Sequence, residues 1–258
     1  MNPKDENKDK ISQTTRKKMS NQAFTMNSKT LLSVDFDRFK TCPQICDYCY
    51  VGNLERLYPA YKAKLTRNTD WAAQNSDEFA ESLNTEYKKY RKSKSIKFDR
   101  LDKLPARIYG SGDFIPEHLS FMKKLDFKFY VISKSLTNPA WKPVLDKLVS
   151  LPNLTKVILS LDNQNIENQV YTENYYGKDK FGISYTGMVD DFDKLKKAGL
   201  KTTIFFNISN KKVDMIKSRS HKEQCPCDTG LLAHNKACSF CNKCWRSSVT
   251  KEKEWNLN

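Results

Sequence analysis

The sequence has no apolar run approaching the ~20 residues that a membrane-spanning helix needs, and its polar, basic start lacks the apolar stretch of a secretory signal. These absences predict a soluble, cytoplasmic protein with no membrane partner. There are no internal repeats, which removes solenoid and propeller architectures. Cysteine is missing between residues 50 and 224. A disulfide framework spreads its cysteines through a small secreted chain, so none is expected here. Acidic side chains are outnumbered, 30 against 45 Lys and Arg, for a net charge of +15. That excess steers anionic partners such as nucleic acid, nucleotides or acidic peptides, although basic surface alone is non-specific.

What is present favours one sizeable α/β domain. The 258 residues are 38% hydrophobic and 12% aromatic, enough for a buried core. Residues 1–28, with the run Arg16-Lys17-Lys18, contain few core-forming side chains and predict a disordered basic tail. Strands are expected at Leu31–Phe36, Arg107–Tyr109, Lys128–Ser133, Lys156–Leu161 and Lys201–Ile208. Between them, helices are expected at about Ser76–Lys92, after Pro116, after Pro139, and from Met188 to Ala198 with Gly199 as C-cap. Residues 164–187 read as a polar, tyrosine-rich loop. Alternating strands and helices argue for βα units and a parallel sheet. Functional residues then belong at the carboxyl ends of the strands.

Three signals fall on that rim. Cys42-Pro43-Gln44-Ile45-Cys46-Asp47-Tyr48-Cys49 directly follows the first expected strand with the spacing C-x3-C-x2-C. Three thiolates on a compact loop can each hold one corner of a [4Fe–4S] cubane, leaving its fourth iron open. Zinc is the alternative, but a structural zinc site takes four protein ligands, and no fourth Cys or His is near. The second signal is Gly110-Ser111-Gly112-Asp113, whose glycines allow close backbone approach and whose carboxylate can accept from an ammonium group. The third is the set Ser133, Lys134, Ser160, Asp162 and Asn163, which end later strands. Turn and cap chemistry is the competing reading for all of these.

The cysteine spacing, with an aromatic before its last cysteine, resembles the radical S-adenosylmethionine (SAM) superfamily. Ser111-Gly112-Asp113-Phe114, Phe129 to Ser135, Ser160-Leu161-Asp162 and the closing Cys238-x2-Cys241-x2-Cys244-Trp245 are most similar to phage gene-product-88-like radical SAM proteins. The resemblance implies a partial (βα)5–6 radical-SAM-type barrel over residues 29–210, a metal-binding extension over 211–258, and reductive cleavage of SAM to a 5′-deoxyadenosyl radical. It further implies a reductant such as flavodoxin or ferredoxin, and SAM contacts from Tyr48, Gly110, Ser111, Gly112, Asp113, Ser133, Ser160, Asp162 and Asn163.

The second cluster, Cys225-Pro226-Cys227 with Cys238, Cys241 and Cys244, has metal-ligand spacing. Cys225, Cys238, Cys241 and Cys244 form the expected set, with Cys227 able to stand in for Cys225, for an auxiliary [4Fe–4S] cluster or zinc. Nearby Lys and Arg residues would suit an anionic substrate. The rival function is a non-catalytic, metal-stabilised nucleic-acid-binding protein.

Overall fold

Phe24–Asn27 (β1) lies antiparallel to Leu31–Val34 (β2), with Phe24 opposite Val34. The last residues of the expected tail are therefore an edge strand: Ala23 and Phe24 are buried, and the Glu86 carboxylate accepts from both of their backbone N–H groups. The computed structural model describes residues 22–27, 31–42, 46, 49–92 and 105–208. Residues 1–21 and the expected extension at 211–258 lie outside that set.

After β2 come a single helical turn, Arg38–Thr41 (α1), and three helices, Tyr50–Leu57 (α2), Pro59–Gln74 (α3) and Ser76–Lys92 (α4). The remaining units are Ala106–Ile108 (β3) with Leu119–Met122 (α5), Phe129–Ser133 (β4) with Lys142–Val149 (α6), and Leu154–Leu161 (β5) with Gln169–Glu173 (α7). Phe181–Gly187 (β6), Val189–Lys197 (α8) and Ile204–Asn207 (β7) complete the described chain. The seven strands form one sheet in chain order, and β2 to β7 are all parallel.

Local chemistry accounts for these elements. β4 and β5 are β-branched and aromatic runs, Phe-Tyr-Val-Ile-Ser and Leu-Thr-Lys-Val-Ile-Leu-Ser-Leu. Helix α4 begins with Asp77 and Glu78 and ends with Lys89, Arg91 and Lys92, matching its dipole, and buries Phe79, Leu83 and Tyr87. The expected loop at 164–187 instead contains α7 and all of β6, where Gly182 and Ile183 to Tyr185 are buried.

Parallel crossovers are right-handed, so a sheet ordered as the chain runs collects its helices on one face. The core agrees. Leu32, Val34, Phe36, Ile108, Phe129, Val131, Val157 and Leu159 pack with Phe79, Leu83, Phe121, Met122, Leu145 and Leu148. A second cluster joins Leu161, Ile183, Tyr185, Phe192 and Phe205. By strand alternation the other face carries Ser33, Arg107, Tyr130, Lys156, Ser160 and Ser184. No helix among the described residues is long and apolar enough to cross a membrane.

Candidate functional site

Helix α3 fixes the segment that leaves β2. Asn68 is fully buried and donates to the carbonyls of Ala23 (2.9 Å) and Asp35 (3.2 Å). The Asp37 N–H donates to Thr69 Oγ1 at 2.8 Å, and Thr66 Oγ1 donates to the Asp37 carboxylate at 2.8 Å. Asp37 also caps α1 through the Phe39 N–H, and Thr41 Oγ1 donates back to the Asp37 carbonyl. The chain thus reaches Cys42 on a rigid, polar-pinned path.

The Cys42, Cys46 and Cys49 side chains are half-buried beyond the carboxyl end of β2. The Cys49 N–H donates to the Cys46 carbonyl at 2.9 Å, and Cys49 is the N-cap of α2. Cys46 and Cys49 each have a braced cation nearby. Lys134 Nζ lies 2.7 Å from Cys46 Sγ and pairs with Asp162 Oδ2, which itself lies 3.8 Å from that sulfur. Arg38 pairs with Glu55 at 3.1 Å; burial pulls its guanidinium down, but Glu55 and Cys49 outweigh that and hold it above its ordinary value. Burial pulls the Lys134 ammonium down, but Asp162 and then Cys46 outweigh it and hold the group above its ordinary value. Among the described residues no three Cys, His, Asp or Glu side chains converge as a metal site. Tyr48 lies outside the described residues, as do Cys225, Cys227, Cys238, Cys241 and Cys244.

The glycine turn after β3 makes its close approach to the chain itself. A Cβ at Gly110 would meet Ser33 Oγ at 2.1 Å and Asp35 Oδ1 at 2.2 Å; one at Gly112 would meet Thr41 Oγ1 at 2.5 Å. Ser111 locks the turn to β2: its Oγ donates to the Phe36 carbonyl, and its own carbonyl accepts the Phe36 N–H. Asp113 is 3% exposed. Its carboxylate accepts from the N–H groups of Phe114, Lys134 and Ser135 and from the Ser135 hydroxyl. Burial pushes the Asp113 carboxyl up, against hydrogen bonds led by the one from Ser133 that pull it down. Asp113 therefore organises the exit of β4, which places the Lys134 side chain.

Ser133 and Ser160 are buried at the ends of β4 and β5. Ser133 Oγ accepts the Leu136 N–H, and the Ser160 carbonyl accepts from Asn165. Asp162 is 1% exposed and faces Cys46, whereas Asn163 is exposed and accepts from the Tyr185 hydroxyl. Among the expected contacts, then, Asp162 is brought to the cysteines, while Gly110, Ser111, Gly112, Asp113, Ser133 and Ser160 knit the strand ends together. Tyr171 and Tyr175 share a hydrogen bond at 3.0 Å, Tyr175 packs on Phe181 and Tyr185 stacks on Phe192, so most of the tyrosine-rich stretch is packing.

Sequence reasoning missed Arg38, Glu55 and Asn165. Asn165 is fully buried: its Oδ1 accepts the Asp162 N–H at 2.7 Å, and its Nδ2 donates to Thr137 Oγ1 and the Ser160 carbonyl. A fourth polar residue after a strand end, in Asp-Asn-Gln-Asn, was the available signal. Replacing Asn165 by Ala strands three buried partners and is expected to cost about 2–3 kcal/mol in denaturant unfolding. A loss below about 0.5 kcal/mol would mean these bonds do not hold the rim.

A family model described as Gene product 88 matches residues 2–247. No curated protein and no solved structure matches the chain. The resemblance to the radical SAM superfamily is corrected by this result: the family that matches is Gene product 88, and no radical SAM family does. The C-x3-C-x2-C spacing is short enough to arise outside that superfamily, so it could not establish membership.

Proposed function

We propose that this chain, which belongs to the Gene product 88 family, holds a [4Fe–4S] cluster on Cys42, Cys46 and Cys49 and cleaves SAM reductively to a 5′-deoxyadenosyl radical. The observation that carries the reading is the meeting of Cys46 with Lys134 and Asp162 where three strands end. Three half-buried cysteines, with Lys134 at Cys46 and Arg38 near Cys49, are a donor set that suits iron, because bound thiolates are anionic and need charge balance. When bound, a cluster with one iron lacking a protein ligand supplies the electron that breaks the S–C5′ bond. The chain's own contribution is placement. Asn68, Thr66 and Thr69 pin the approach to Cys42, Ser111 ties the β3 exit to β2, and Asp113 orders the β4 exit.

The finer fold reading belongs to the same proposal. A sheet wound in one direction is the architecture that curls toward a partial (βα)5–6 barrel, with its carboxyl rim around the cofactors. Cys225, Cys238, Cys241 and Cys244 would hold an auxiliary [4Fe–4S] cluster or zinc in a Cys-rich extension. The excess positive charge suits an anionic substrate and an acidic electron donor such as flavodoxin or ferredoxin.

Anaerobic reconstitution with iron and sulfide should give a brown protein that forms 5′-deoxyadenosine from SAM and a reductant. Cys46→Ala should abolish that product. A purified protein that takes up no iron, retains only zinc and binds oligonucleotides tightly would replace this reading with a metal-stabilised nucleic-acid-binding one.

A further inference from the structure

We infer that Lys134 is a positioning residue that sets the reduction potential of the cluster through Cys46. The inference rests on the proposed cluster and adds to it a device by which the chain regulates the electron it receives.

Lys134 is held at both ends by buried carboxylates from neighbouring strand exits. Its backbone N–H donates to Asp113 Oδ2 at 3.1 Å, after β3. Its ammonium pairs with Asp162, after β5, and reaches Cys46 Sγ at 2.7 Å. The Lys134 side chain is 13% exposed and that of Asp162 is 1% exposed. Asp162 is fixed in turn by Asn165 and by the Gln164 N–H. A long, flexible lysine is thereby frozen against one sulfur.

Hydrogen bonds and charges at cluster sulfurs tune reduction potentials. Reduction adds an electron, so a cation at Cys46 favours the reduced form, and the adjacent carboxylate opposes it. The two groups therefore act with opposite signs. Removing Lys134 leaves Asp162 facing the sulfur and lowers the potential. Neutralising Asp162 removes that opposing negative charge and raises it. A residue that only supported the loop would show no such opposition.

The test is spectroelectrochemical titration of the anaerobically reconstituted full chain, without SAM. Lys134→Met should lower the reduction equilibrium constant at least tenfold, about 59 mV for one electron. Asp162→Asn should shift the potential upward, and Lys134→Arg should stay close to wild type. If Lys134→Met fails to take up iron, the Asp162→Asn and Lys134→Arg pair decides: no upward shift in the first overturns the inference. Wild-type potentials in both Lys134→Met and Asp162→Asn also overturn it while leaving the cluster in place. Failure of the wild-type chain to load iron removes the proposed function itself.

Discussion

Gly112→Ala destabilises the protein by about 3 kcal/mol, whereas Gly177→Ala, at the same backbone angle, costs about 1 kcal/mol. Both glycines have φ +77, so both substitutions force a side chain into the left-handed region. They differ in what surrounds them. Nothing lies within 4 Å of a Cβ at Gly177, but at Gly112 it meets Thr41 Oγ1 at 2.5 Å and Phe36 atoms at 3.0 Å. Thr41 has no easy retreat, because its Oγ1 donates to the Asp37 carbonyl at 2.8 Å and accepts the Asp113 N–H at 3.1 Å. Moving it breaks two buried hydrogen bonds, each worth roughly 1 kcal/mol, in addition to the backbone strain. The melting temperature of Gly112→Ala should fall by roughly 6–12 °C. Cys42 follows Thr41 directly, so Gly112→Ala should also take up less iron per chain, while Gly177→Ala loads as wild type does. Equal losses for the two variants would show that the turn does not press on the cysteine segment.

The parts of the fold that were legible in the sequence were those where one signal dominated. Helix α4 matches its expected span, Ser76–Lys92, because terminal charges and the apolar stripe agree. β4 and β5 stood out through consecutive apolar and β-branched residues, nearly all of which are buried. Helix α3 was missed because its buried face includes Asn68 and Thr69, which bond to the β2 exit instead of forming an apolar stripe. β6 was missed because glycines interrupt it. Gly182 sits beneath the Lys156 stem, 3.3 Å from where a Cβ would lie, and Gly187 leaves room for the Tyr185 ring. The last residues of the expected tail became β1 through a partner distant in sequence, the Glu86 carboxylate on α4.

The candidate site was legible as a location and much less as a set of roles. Strand ends could be placed, so the cysteines, Asp113 and Asp162 could be assigned to one rim. Spacing could not show that the Asp113 carboxylate accepts from Phe114, Lys134 and Ser135 or that Gly110 fits against Ser33 and Asp35. Nor could it reveal Arg38 beside Cys49, a contact that depends on α2 bringing Glu55 back to the end of β2.

Acid should weaken the protein through one group beneath that rim. His118 is fully buried, its Nδ1 hydrogen-bonded to the Tyr109 hydroxyl at 2.8 Å, with the Phe36 ring 4.3 Å away and the Phe121 ring 5.4 Å away. Burial lowers its pKa to about 3 from the ordinary 6.5. Between those values the unfolded chain binds a proton that the folded chain refuses. The contribution to stability is therefore complete above about pH 6.5 and is lost as pH falls toward 3. Its full size is about 4–5 kcal/mol, from 1.36 kcal/mol per pH unit. His118→Phe removes the titration and retains the ring packing, but it leaves the buried Tyr109 hydroxyl without this partner, at a cost of about 1–2 kcal/mol. At pH 7 the variant should be the less stable protein. Near pH 4 the order should reverse, because only the wild type carries the protonation penalty. Guanidinium unfolding across this range measures the difference directly, and subtracting the two curves cancels the carboxylates they share. A difference that stays constant from pH 7 to pH 4 would mean His118 is not held neutral. Tyr109 adopts φ +67 immediately before Gly110, so the same histidine anchors the residue that turns the chain toward Ser111 and Asp113. The acid-induced loss should thus reach the rim as well as the core, and iron loading should fall over the same pH range in the wild type and less steeply in His118→Phe.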